Sequence, residues 1–196
     1  MPRLKPRLFE PLTINGLTVP HRLWVAPMCM YSSVDGMPSD WHLVHLGSFA
    51  VGRAGLIMTE AAAVSPEGRI SPDDVGIWND AHAEAWRRVV DFVHGMNGLI
   101  GIQLSHAGRK AATAPPTRGR GSVPEEEGGW STVGPSAVAY GTFTTPVELD
   151  AEGIAKVVSD YADAAARAVR AGFDLVEIHA AHGYLLGQFL SPTSNH

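Results

Sequence analysis

The sequence predicts an α/β fold built on a parallel sheet. Three observations predict it. Four short apolar runs recur along the chain, amphipathic helical stretches separate them, and polar residues with chemical capability follow the end of each run. Strands alternating with helices imply parallel pairing through crossover connections.

The elements follow in order. Leu12–Ile14 and Leu17–Val19 flank Asn15-Gly16, a two-residue hairpin signal, and such a hairpin could plug one end of a barrel. The apolar runs are Leu23–Met28, Gly55–Thr59, Leu99–Leu104 and Phe173–Ile178. They are rich in Val, Ile and Leu without clean alternation, as in strands buried on both faces. Helices are expected over 41–51, with Leu43, Leu46 and Val51 inward, and over 82–95, with Ala85, Val89, Phe92 and Val93 on one stripe. The clearest helix is 151–171. There Ile154, Val157, Val158, Tyr161, Ala165, Ala168 and Val169 follow helical spacing, with Asp150 as N-cap and Gly172 as C′ residue. Ser105 to Asp150 is too long for a simple βα loop, and its Pro/Gly content reads as a partly mobile excursion over the active-site face.

Pro27-Met28-Cys29 ends the first run, Glu60-Ala61 the second, Gln103 and His106 the third, and His179 with His182 the fourth. Both a (β/α)8 barrel and an open doubly wound sheet gather their ligand sites at that rim. No G-x-G-x-x-G follows the first run and no G-x-x-x-x-G-K-[ST] occurs, so the phosphate-binding turn of the doubly wound class is missing. The (β/α)8 TIM barrel is the preferred architecture. About four of its β/α units are present, so residues 1–196 read as the N-terminal half of one such domain.

Composition narrows function. Hydrophobic residues at 45%, charged residues at 18% and a net charge of -5 describe an ordinary globular chain. No basic cluster suits nucleic acid, and the densest one, Arg109-Lys110 with Arg118 and Arg120, reads as a solvated loop. No apolar run is long enough for a membrane span, and residues 1–22 lack a signal-peptide core. A single cysteine, Cys29, precludes an intrachain disulfide and fits a reducing, cytoplasmic setting.

The runs APMCMYS (26–32), GRISPDDVGIWND (68–80), GIQLSHAGRK (101–110), GPSAVAY (134–140) and EIHAAHGYLLGQFLSPTSNH (177–196) resemble the old yellow enzyme family. The strand-end cysteine and the H-A-A-H-G-Y string resemble its bacterial, thiol-tuned branch. The resemblance implies an FMN-containing barrel that passes a hydride from NADPH or NADH to an activated C=C bond of an enone or nitro compound. It also implies a homo-oligomer in full-length members.

Carried over residue by residue, the resemblance implies a flavin cradle of Ala26, Pro27, Met28 and Cys29. Ala61 would lie against the ring, and Gln103, both donor and acceptor, would meet its pyrimidine edge. Read alone, Met28 and Ala61 also suit barrel core and Gln103 a satisfied buried amide. Cys29 would tune the flavin potential through its weak S–H donor rather than act as a nucleophile. His179 and His182 would clamp the substrate oxygen, Tyr184 would protonate Cα, and Tyr31 would line the substrate pocket. As a metal pair, His179 and His182 lack a third ligand at convincing spacing, so no metal is expected. His42 and His45 share that spacing and read as structural.

In the family, the flavin-phosphate site and a further flavin-contacting arginine come from later strands. The 196-residue chain is therefore expected to bind FMN weakly. Two alternatives stand beside the ene-reductase reading. One is a non-catalytic half-barrel that self-associates through its unpaired edges. The other is a 2,4-dienoyl-CoA reductase relative, which would need clustered cysteines for an iron–sulfur centre.

Overall fold

The computed structural model describes residues 6–196. Its centre is a parallel four-stranded sheet of β3 (Trp24–Val25), β4 (Leu56–Ala63), β5 (Ile100–Ser105) and β8 (Leu175–Ile178), neighbours in that order. Helices α1 (Asp40–Val51), α2 (Asp80–Gly95) and α3 (Ala151–Ala171) connect successive strands. Sequence order and spatial order coincide, as in a barrel wound one unit at a time. A hairpin of β1 (Leu12–Ile14) and β2 (Leu17–Val19) precedes them. Asn15 and Gly16 take φ of 44° and 88°, the positive pair that a two-residue turn matching strand twist requires.

Each helix starts on a local signal. Ser39 Oγ accepts the Trp41 N–H while His42 Nδ1 accepts the Ser39 N–H, a reciprocal cap on α1. Asn79 Oδ1 accepts the His82 N–H ahead of α2, and Asp150 Oδ1 accepts the Gly153 N–H ahead of α3. Gly172 ends α3 at φ 96°, in the left-handed region.

The main core lies between sheet and helices, with Ile57, Ile100, Ile102, Leu104, Trp86, Val90 and Val93 essentially inaccessible. A second cluster of Val19, Leu56 and Met58, joined by Leu99 and Leu175, sits at the amino ends of the strands. The hairpin thus covers that end of the sheet, and the opposite rim stays open for a site.

Several expectations need correction. The first strand is two residues rather than six, because Pro27 has no N–H for a ladder. The second runs four residues past its apolar stretch, to Ala63, because Thr59 and Glu60 are buried within it. On α3 the buried residues are Val157, Ala164, Ala168 and Ala171, whereas Ile154, Val158 and Val169 are exposed. Small alanines let the helix approach closely, so the wider apolar stripe turns outward. Val51 and Phe92 are likewise exposed. Within the 106–149 excursion, β6 (Val133–Gly134) pairs in parallel with β7 (Val147–Glu148). The Arg69 guanidinium lies over the rings of Trp78 and Trp130, 5.4 and 4.7 Å from their centroids.

Candidate active site

Every strand of the central sheet delivers residues to one cleft of about 240 Å³ at its carboxyl rim. Ala26, Pro27 and Cys29 come from the segment after β3, Ala61 from β4 and Gln103 from β5. His179, His182 and Tyr184 come from the turn after β8. Ile70 closes one side and also lines a wider pocket of about 650 Å³ with Tyr31, Tyr140 and Phe143. The excursion thus walls the space beside the cleft, as its length suggested.

Not every side chain named at the strand ends lines this cleft. Met28 turns its side chain away from the cleft and lines a small separate cavity with His42 and Met58. His106, noted at a strand end, is 1% exposed and packed against Gly68 rather than facing the cleft. His42 and His45 are structural: the first caps α1, and the second stacks on Trp41 with ring centroids 6.1 Å apart.

The β8 turn is built tightly. His179, His182 and Tyr184 form an edge-to-face cluster, with centroids 5.1 Å apart for the two imidazoles and 5.0 Å for His179 and Tyr184. The Ala181 N–H donates to His179 Nδ1, which assigns the His179 proton to Nε2. Burial, then the neighbouring His182, holds the His179 pKa below its ordinary value, so the ring is neutral at pH 7. His182 sits at φ 55°, in a region that non-glycine residues rarely enter, and Lys110 Nζ donates to its carbonyl at 2.6 Å. Burial is the main reason the Tyr184 phenol is pushed well up, so it keeps its proton at neutral pH.

One residue pins this turn. Gln188, 1% exposed on α4 (Leu185–Phe189), donates from Nε2 to the carbonyls of Ala107 and Gly183 at 3.1 and 2.9 Å. Its Oε1 accepts the Arg109 N–H at 3.2 Å. The ends of β5 and β8 are thereby tied together.

At the floor of the cleft, Gln103 Nε2 donates to Glu177 Oε1 at 2.5 Å, in register across β5 and β8. Beneath Cys29 lie two buried carboxylates, Glu60 and Asp74. Burial, then Asp74 and Glu60, pushes the Cys29 thiol up to about 12, so it stays a thiol. Sequence reasoning missed Ile70, Asp74, Lys110, Glu177 and Gln188. All five lie inside the quoted motifs, but nothing in their spacing distinguishes them from surface polar or core residues.

Parallel strands wound in sequence order, converging at their carboxyl ends on one cleft, define part of a barrel-type α/β fold. The chain belongs to the NADH:flavin oxidoreductase / NADH oxidase family, the old yellow enzyme family, whose pattern it matches over residues 7–196. It is 50% identical over 194 residues to an NADH:flavin oxidoreductase of Gibberella zeae, covering 96% of this chain and 47% of that protein. It is 47% identical over 193 residues to an NADPH dehydrogenase of Bacillus subtilis, covering 97% and 53%. The structure of morphinone reductase in complex with tetrahydroNAD superposes with a TM-score of 0.85 at 34% identity, over 98% of this chain and 54% of that one. The chain spans about half the length of the relatives it matches. The family is one of FMN-dependent oxidoreductases with a nicotinamide electron donor.

The residues present fit a flavin. Ala26 and Ala61 leave a low floor on which a planar ring can lie. The Gln103 amide, oriented by Glu177, keeps its oxygen available to a ring N–H.

Proposed function

We propose that this chain supplies the flavin floor and the substrate-activating half of an NAD(P)H-dependent reductase of activated C=C bonds. Its substrates would be α,β-unsaturated carbonyl or nitro compounds. The reading rests on one observation: two imidazoles and a protonated phenol meet over a cleft floored by small residues. Bound FMN would accept a hydride from NADPH or NADH and supply it to the alkene. Ala26, Pro27, Cys29, Ala61 and Gln103 would hold the ring, with the backbone of Met28 along its edge.

The chain's own groups account for selectivity toward an activated alkene. His179 Nε2–H and a ring N–H of His182 would hold the carbonyl or nitro oxygen. Negative charge grows on that oxygen as Cβ is reduced, so both donors bind the transition state more strongly than the ground state. Tyr184 would deliver a proton to Cα. Its position beside His179 suits that role, and burial keeps the phenol protonated at neutral pH. Tyr31, lining the adjoining pocket, would bound the substrate from that side. A cytoplasmic setting, where thiols stay reduced, suits a free Cys29 in the cleft.

Stopped-flow measurement of the two half-reactions tests this in protein loaded with FMN. Tyr184→Phe is expected to slow alkene reduction on the order of 100-fold while leaving flavin reduction by NADPH nearly unchanged. Equal slowing of both steps would reject the proton-donor role.

Self-association is the second reading that an observation favours. Apolar side chains stand exposed at both flanks of the sheet: Leu23 and Val44 near β3, Ile178 and Leu190 near β8. Sedimentation velocity over a range of concentrations would show the dimer this predicts, or a monomer that excludes it.

A further inference from the structure

Cys29 faces the cleft on one side and two buried carboxylates on the other. Its Sγ, a carboxylate oxygen of Glu60 and one of Asp74 all lie within 4.8 Å of one another. The two acids are differently satisfied. Glu60 Oε2 accepts the Met30 N–H at 3.0 Å, and its Oε1 lies 3.2 Å from His42 Nε2. Asp74 Oδ2 accepts the Ser71 N–H at 2.5 Å. Asp74 Oδ1 is buried with no donor placed on it among the described residues, in a residue only 1% exposed. An orphaned buried acceptor costs about 1–3 kcal/mol, and more for a charged group, so a donor is called for. The Cys29 sulfur lies within 4.8 Å of an Asp74 carboxylate oxygen, and the Ser71 hydroxyl is a second donor beside that carboxylate.

We propose that Asp74 is a positioning residue for Cys29: its Oδ1 accepts the thiol proton and turns that proton away from the cleft. The sulfur lone pairs, not the S–H, then face whatever ring lies on Ala26 and Ala61. This reverses the donor role that the family resemblance implies for Cys29. It also gives the two acids separate tasks: Glu60 anchors the backbone at Met30, and Asp74 sets the thiol. The charged and titratable groups around the pair are Glu60 on β4, His42 on α1, Asp73 and Arg69 on the loop after β4, and Tyr31 and Tyr184 across the thiol. The statement about the flavin rests on the function proposed above; the thiol–carboxylate bond does not.

Alkylation of the full chain by iodoacetamide, followed by mass spectrometry across pH, reads the thiol directly. Wild-type Cys29 is expected to react slowly, with a rate still rising at about pH 10, because the thiolate is held back. Asp74→Asn is expected to react at least ~10-fold faster at about pH 8, the gain in thiolate for each unit of lowered pKa. An unchanged rate in a variant with wild-type circular dichroism would overturn the proposal.

Wild-type protein gives an independent reading by infrared spectroscopy, should the variant not fold. The S–H stretch is expected below the free-thiol frequency at neutral pH, rising toward it as Asp74 is protonated near its pKa of about 6. A free-thiol frequency that ignores pH would overturn the bond. With FMN bound, Asp74→Asn is further expected to raise the flavin midpoint potential, because the released S–H can donate to an electron-rich reduced ring. Faster alkylation with an unmoved potential would leave the bond standing and remove the flavin from beside Cys29.

Discussion

Burial of His106 makes stability depend on acid in a way that can be worked out. Its Nδ1 accepts the Gly108 N–H at 3.0 Å, and its Nε2 is buried without a partner among the described residues. Charging the ring would place a cation in a closed setting away from water. Burial therefore lowers its pKa from 6.5 to about 4, Glu67 opposing and Lys156 adding slightly. Between those two values the unfolded chain binds a proton that the native state refuses, so this contribution is lost as pH falls. The full difference of roughly 2.5 units corresponds to about 3.4 kcal/mol, of which about 2.4 kcal/mol is lost between about pH 7 and about pH 4.5.

Asp74 works in the opposite direction over an overlapping window. Burial, opposed by the Ser71 hydrogen bonds and assisted by Glu60, raises its pKa from 3.8 to about 6. Its contribution is fully present below 3.8 and is lost as pH rises through about 6. The two nearly cancel in wild-type protein, so variants are needed to separate them. Urea unfolding of wild type and His106→Asn at both pH values is the assay, Asn retaining an acceptor for the Gly108 N–H. The stability advantage of wild type over His106→Asn should shrink by about 2 kcal/mol on acidification. A difference constant to within about 0.5 kcal/mol would refute the buried, neutral histidine.

Other expectations follow from single contacts. Gln188→Ala should cost about 1–3 kcal/mol in urea unfolding, since it strands the buried Ala107 carbonyl and removes the partners of the Gly183 carbonyl and the Arg109 N–H, and should broaden NMR signals from the His179–Tyr184 turn. Ile102→Ala, at the centre of β5 and fully buried, should cost about 2–5 kcal/mol by the same assay. Gly172→Ala should lower thermal stability by about 1 kcal/mol, because φ of 96° disfavours any side chain and the new Cβ would meet Val90 Cγ1 at 3.3 Å. Unchanged melting in that last variant would mean that α3 ends differently.

Most of the architecture was legible in the sequence because its signals are local. Asp150 and Gly172 bracket α3 through contacts with residues within a turn, and Asn15-Gly16 dictates its hairpin by φ alone. The apolar runs identify sheet strands because strands covered on both faces tolerate little else. The grouping of Cys29, Ala61, Gln103, His179, His182 and Tyr184 was also foreseeable, since parallel strands place all their carboxyl ends on one rim. Which outward residues on α3 remain exposed was not legible, because a helix stripe does not say how much of its width a sheet covers.

What only the tertiary structure decided is the state of each polar group. The sequence puts His106 and His179 at equivalent strand ends, yet one is sealed behind Gly68 and the other opens to the cleft. It puts Glu60 at the end of an apolar run and Asp74 in a loop, without showing that both converge on Cys29. Proton positions, pKa shifts and the tie made by Gln188 arise from groups tens of residues apart. Periodicity and capping report neighbours along the chain, whereas burial and charge report neighbours in space.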